Sequence, residues 1–123
     1  MTGMRTTRQI VVFDAADLTA ESTFWAELLE GRVEAEDDWH SIYVDGKAQL
    51  AVQLAPDHVP PEWPDGSPQQ IHLDLHVADI RAAHEEAVGV GARLLQAADD
   101  LDADEGFQVY ADPAGHPFCL CWG

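Results

Sequence analysis

The stretch QIHLDLHVAD, residues 70–79, sets His72, Asp74 and His76 two apart. Alternate side chains of a β-strand share a face, so all three project together. A carboxylate between two imidazoles can move protons, because it stabilises the imidazolium and draws its titration towards neutrality. The ring nitrogens can also ligate a metal, or the three groups can satisfy one another as the polar face of a strand. Cys119 and Cys121 repeat the spacing near the C-terminus. Too close along one strand for an easy disulfide, they read as reduced thiols in a cytoplasmic setting.

The elements that must position these groups come from a repeat. Residues 9–18, QIVVFDAADL, align with residues 71–80, IHLDLHVADI, when Asp17 is set on Asp79. Each run is β-type, ends in Ala-Asp-Leu or Ala-Asp-Ile, and leads into a helical stretch, 18–30 or 80–91. Asp17 and Asp79 stand as N-caps. Phe24, Leu28 and Leu29 form an apolar stripe on the first helix, Glu21, Glu27 and Glu30 its polar side, and Trp25 a core position. Strands follow at 32–36, 39–45 and 49–54, and again at 92–97, 107–111 and 118–122.

The chain is therefore read as a single α+β domain over residues 1–123, built of two tandem βαβββ modules, 8–55 and 70–123. Between them lies a Pro-rich linker, 56–69, in which Pro56, Pro60, Pro61, Pro64 and Pro68 oppose regular structure. On strand parity, Leu73, Leu75 and Val77 face the helices while His72, Asp74 and His76 face away. The same parity in the first module sends Phe13 inward and Ile10, Val12 and Asp14 outward. His58, in the linker, and His84, on a helix face, read as surface residues.

With 6 Lys and Arg against 23 Asp and Glu, the 123-residue chain carries a formal charge of −17. That charge repels nucleic-acid phosphates and anionic lipid over a Debye length of roughly 8 Å. It fits a solvation role first and attraction of a cationic ligand second. Neither an apolar run of about 18 residues nor a basic-then-apolar leader is present, so a soluble cytoplasmic protein is expected. The acidic run DDLDADE at 99–105 reads as a solvated loop.

The paired βαβββ units, the capped helices, PPEWPDGSPQQIHLDLHV at the junction and YADPAGHPFCLCW at the end resemble the vicinal oxygen chelate superfamily over residues 8–122. The nearest likeness is to the small glyoxalase-like and bleomycin-resistance-like proteins of actinobacteria. The resemblance implies two curled four-stranded sheets forming a cup for a small molecule (the dioxygenase fold), and a homodimer. It also implies four metal-ligand positions, which fall in this chain on Ile10, Gln53, His72 and Cys119. Isoleucine has no lone pair to give, and a thiol has replaced a hard carboxylate, so glyoxalase or dioxygenase chemistry is disfavoured.

The expected function is small-molecule binding without the family's usual metal or any cofactor. Asp14, Trp39, Tyr43, Gln53, Trp63, Phe107, Cys119 and Trp122 contact a cationic or aromatic ligand, and Tyr110 lies at the rim. The alternative is a metal-independent lyase or isomerase with His72, Asp74 and His76 as catalytic groups. A glyoxalase-like metalloenzyme ranks third, and a divalent ion, if held, falls to His72, His76 and Cys119.

Overall fold

The computed structural model describes residues 3–123. In chain order the elements are β1 (Val11–Ala15), α1 (Leu18–Leu28), β2 (Arg32–Ala35), β3 (Trp39–Val44) and β4 (Lys47–Leu54). The second half repeats them as β5 (Leu73–His76), α2 (Ile80–Gly89), β6 (Arg93–Gln96), β7 (Gly106–Ala111) and β8 (Pro117–Trp122). The sheets run β1-β4-β3-β2 and β5-β8-β7-β6, with β1–β4 and β5–β8 parallel and every other pair antiparallel. This is the α+β fold of two tandem βαβββ modules that the repeat predicts. The stretch from 56 to 69 holds no helix or strand.

Both caps form as expected. Asp17 Oδ1 accepts from the Ala20 amide at 3.0 Å, and Asp79 Oδ1 from the Ala82 amide at 3.1 Å, each satisfying an amide that a helix start leaves without a partner. Between β3 and β4, Asp45 and Gly46 both take positive φ, 52° and 78°. That two-residue Asp-Gly hairpin matches the right-handed twist of the strands.

Each sheet buries one face, and both buried faces meet in a single core. Phe13, Phe24, Trp25, Ile42 and Val52 come from the first module; Ile80, Ala87, Tyr110, Phe118 and Leu120 come from the second. The Trp25 ring stacks on Phe13 at 5.2 Å and meets Phe118 edge-on at 5.0 Å, so helix α1 packs against strands of both halves. Leu73, Leu75 and Val77 lean on this core while Asp74 and His76 do not. Likewise Phe13 is inward and Val12 and Asp14 outward. The uncovered face of each sheet is thus turned away from the shared interior.

Four expectations are corrected here. Glu21, placed on the polar side of α1, is fully buried. Its Oε1 accepts from the Ala114 amide at 3.0 Å, its Oε2 accepts from Trp25 Nε1 at 3.2 Å, and Trp25 Nε1 is shared with Asp112 at 3.0 Å. Burial, and then the neighbouring Asp112, push the Glu21 carboxyl up to about 10, so it is neutral and bonds to Asp112. Tyr110, expected at a rim, is fully buried, and its hydroxyl meets His84 Nδ1 at 2.7 Å. His84 is therefore half-buried, and so is His58, whose Nε2 meets the Ala114 carbonyl at 3.0 Å.

Candidate functional site

The open face of the second sheet follows from strand alternation. Asp74 on β5 lies beside Cys119 on β8, which lies beside Val109 on β7; one step along, His76, Cys121 and Phe107 form the next row. His72, just ahead of β5, turns its Nε2 to Asp74 Oδ1 at 3.1 Å. Ligand atoms of His72, Asp74 and Cys119 all lie within 4.8 Å of one another.

Over this face stands a cavity of about 740 Å³. His72, Asp74, His76, Cys119 and Cys121 make its floor. Trp63 from the linker and Phe107 and Trp122 from the sheet make its apolar walls, with Gln69 and Glu105 beside them. Trp122 is fixed by its Nε1, which donates to the Ala103 carbonyl at 2.9 Å. Its ring also lies so close over Gly106 that an added Cβ there would sit 2.5 Å from it. Gln69 Oε1 is buried without a hydrogen-bond partner among the described residues. Among the described residues, no Lys or Arg lines the cavity.

The thiols are not nucleophiles at neutral pH. Burial, then the charge of Asp74, push Cys119 up to about 12, and the same causes in the same order raise Cys121. A thiol held protonated is a weak attacking group.

Of the residues singled out in the sequence, His72, Asp74, His76, Trp63, Phe107, Cys119 and Trp122 line this one cavity. Asp14 does not; it borders a second cleft, of about 410 Å³, between β1, the linker and the start of β5. Trp39 and Gln53 pair across the first sheet, and Gln53 also pairs with Asp14. Tyr43 is covered by the Arg32 guanidinium at 4.5 Å. None of those three borders either cavity. Strand pairing also moves one position by two residues. Asp74 pairs with Cys119, and Val12, its repeat partner, pairs with Ala51, so the first-module counterpart of Cys119 is Ala51 and not Gln53. Sequence reasoning passed over Gln69, Glu105 and Cys121. Only Cys121 carried a signal, its two-residue spacing from Cys119.

A family profile described as a glyoxalase-like domain matches residues 10–121. The chain belongs to that family, and with it to the vicinal oxygen chelate superfamily. No curated protein matches it in sequence. Among solved structures, the fosfomycin resistance protein FosX from Listeria monocytogenes in its tetragonal form is similar with a TM-score of 0.74 at 11% identity, covering 98% of this chain and 93% of that one. A glyoxalase-related enzyme from Fulvimarina pelagi gives 0.70 at 19% identity over 97% and 89%. A FosX variant from Listeria monocytogenes, complexed with Mn(II) and 1S,2S-dihydroxypropylphosphonic acid, gives 0.68 at 10% identity over 95% and 90%. At these identities the glyoxalase-like family shares a fold with its neighbours, and activity has to be argued from the site.

Proposed function

We propose that this glyoxalase-like protein binds a flat, non-anionic small molecule in the cup over its second sheet. The observation that carries the reading is the lining of that cup: three aromatic rings, two side-chain carboxylates and, among the described residues, no Lys or Arg. Trp63, Phe107 and Trp122 offer stacking faces. A cationic ring gains further from the aromatic faces and from Asp74 and Glu105. A phosphonate such as that bound by the FosX variant would face those carboxylates with no counter-cation.

The donors do not fit the Mn(II) of that neighbour. A hard octahedral ion wants several oxygen ligands. The floor supplies one carboxylate, one imidazole and one thiol, and the repeat-related positions in the other module are Ile10 and Ala51, which offer no side-chain donor.

The cup is walled by the second module and linker alone, while the first module's open face bears Asp14, Gln53 and Trp39. A homodimer with a twofold axis would lay the first-module face of one copy over the second-module face of the other, closing two equivalent cups. A second reading, a metal-independent lyase or isomerase, is favoured by the 3.1 Å contact between His72 and Asp74, a pair able to take a proton from an acidified substrate.

Tryptophan fluorescence titrations with matched planar probes test the main reading. A cationic acridinium and neutral acridine should bind at least tenfold more tightly than a sulfonated analogue, and Phe107→Ala should weaken both. Equal binding of the anion overturns it. A monomeric mass by light scattering, at full affinity, removes the dimer.

A further inference from the structure

We propose that the ligand of the cup carries an uncharged aliphatic arm, held in the second cleft between β1, the linker and the start of β5; this rests on the reading of the cup as a site for a flat molecule. Seven large apolar side chains stand exposed among the described residues, and four of them line these two cavities: Phe107 in the cup, and Val12, Val59 and Ile71 in the cleft. Exposed apolar residues scattered singly are ordinary, whereas a set gathered along one groove marks a binding surface. The three of the cleft come from β1, the linker and the run into β5, so the groove exists only because the two modules meet there. Cup and cleft adjoin, since Gln69, His72 and Pro117 border both. A chain leaving the cup past these residues enters the cleft, whose volume is about 410 Å³.

The polar groups of the cleft decide the character of the arm. His58 and His116 stand with their rings 5.0 Å apart, and their Nε2 atoms meet the Ala114 and Asp14 carbonyls at 3.0 and 2.7 Å. A carbonyl can only accept, so both nitrogens carry protons that are already committed inside the protein. Among the described residues no Lys or Arg lines the cleft, and Asp14 would repel an anion. Asp14 is itself exposed, so it adds little to the binding of a cation. An aliphatic arm asks nothing of these groups and gains about fourfold for each methylene it buries against the Val, Ile and Pro surface.

The test is tryptophan fluorescence titration of the full chain with acridine bearing a methyl, an n-hexyl or an ω-carboxypentyl group on the same ring carbon. The hexyl probe should bind at least tenfold more tightly than the methyl probe, and the carboxypentyl probe should lose that gain. Val59 and Ile71 are 75% and 71% exposed and lie outside the core. Val59→Asn combined with Ile71→Asn should therefore return the hexyl probe to the affinity of the methyl probe, with methyl-probe binding and the melting curve unchanged. Equal binding of hexyl and methyl probes, a carboxypentyl probe as tight as the hexyl one, or a hexyl gain that survives the double variant overturns the arm. A double variant that turns a dimer into a monomer by light scattering, yet keeps the hexyl gain, gives the cleft to a second copy of the chain and also overturns it. A methyl probe that fails to bind at all refutes the cup reading, and the arm with it, so the two failures are told apart.

Discussion

Replacing Glu21 by Gln should make the protein more stable at neutral pH, and by an amount that grows with pH. Glu21 is fully buried, and its carboxyl is raised from 4.5 to about 10. The folded state therefore holds a proton that the unfolded state releases above pH 4.5. A raised folded value gives stability that is complete below 4.5 and is lost as pH climbs towards 10. Each pH unit in that window costs about 1.4 kcal/mol, so at pH 7, two and a half units above 4.5, the loss is about 3 kcal/mol. Gln keeps the acceptor for the Ala114 amide and a donor for Asp112, gives up the acceptor for Trp25 Nε1, which retains Asp112, and has no proton to lose. Urea denaturation of both proteins from pH 5.5 to 8 should show the variant's advantage rising by about a factor of ten in the folding constant per unit. Titrating groups remote from Glu21 and its partner Asp112 cancel in the difference. Parallel curves, or a variant less stable throughout, would refute a neutral Glu21.

Trp25→Ala removes the ring joining both modules and two buried hydrogen bonds, and should cost about 3–5 kcal/mol in denaturant unfolding. Asp79→Ala should cost about 1 kcal/mol through loss of the α2 cap, read in the same assay. Gly106→Ala should push the Trp122 ring from its seat and weaken probe binding several-fold in fluorescence titration. Alkylation of Cys119 by iodoacetamide, in Cys121→Ser and without metal, should be slow at pH 7 and still rise tenfold per unit through pH 9, where an ordinary thiol levels off.

The strands, helices and caps were legible because they rest on local patterns: the two-residue alternation around His72, Asp74 and His76, and Asp17 and Asp79 before their helices. Parity correctly sent Phe13 and Leu75 inward. What sequence could not supply was which parts of the chain meet at a distance. Glu21 reads as solvent-facing until Trp25 and the Asp112–Ala114 turn are seen to enclose it, and Gln53 reads as a ligand position until the pairing of Val12 with Ala51 fixes the register. The site was half visible for the same reason. The residues of β5 and β8 share one strand pair and were gathered correctly, whereas Gln69 and Glu105 reach the cavity from loops whose course no periodicity encodes.

Trp25 and Ala87 each stand eight residues after a capping Asp, and both are fully buried in the common interior. The largest side chain and one of the smallest thus occupy equivalent places, so the duplicated halves have become complements and are no longer copies. Joining two first halves would crowd a pair of indoles into space shaped for one, and joining two second halves would leave a hole where the indole belongs. The repeat survives in the backbone, but the interior reads only in one order.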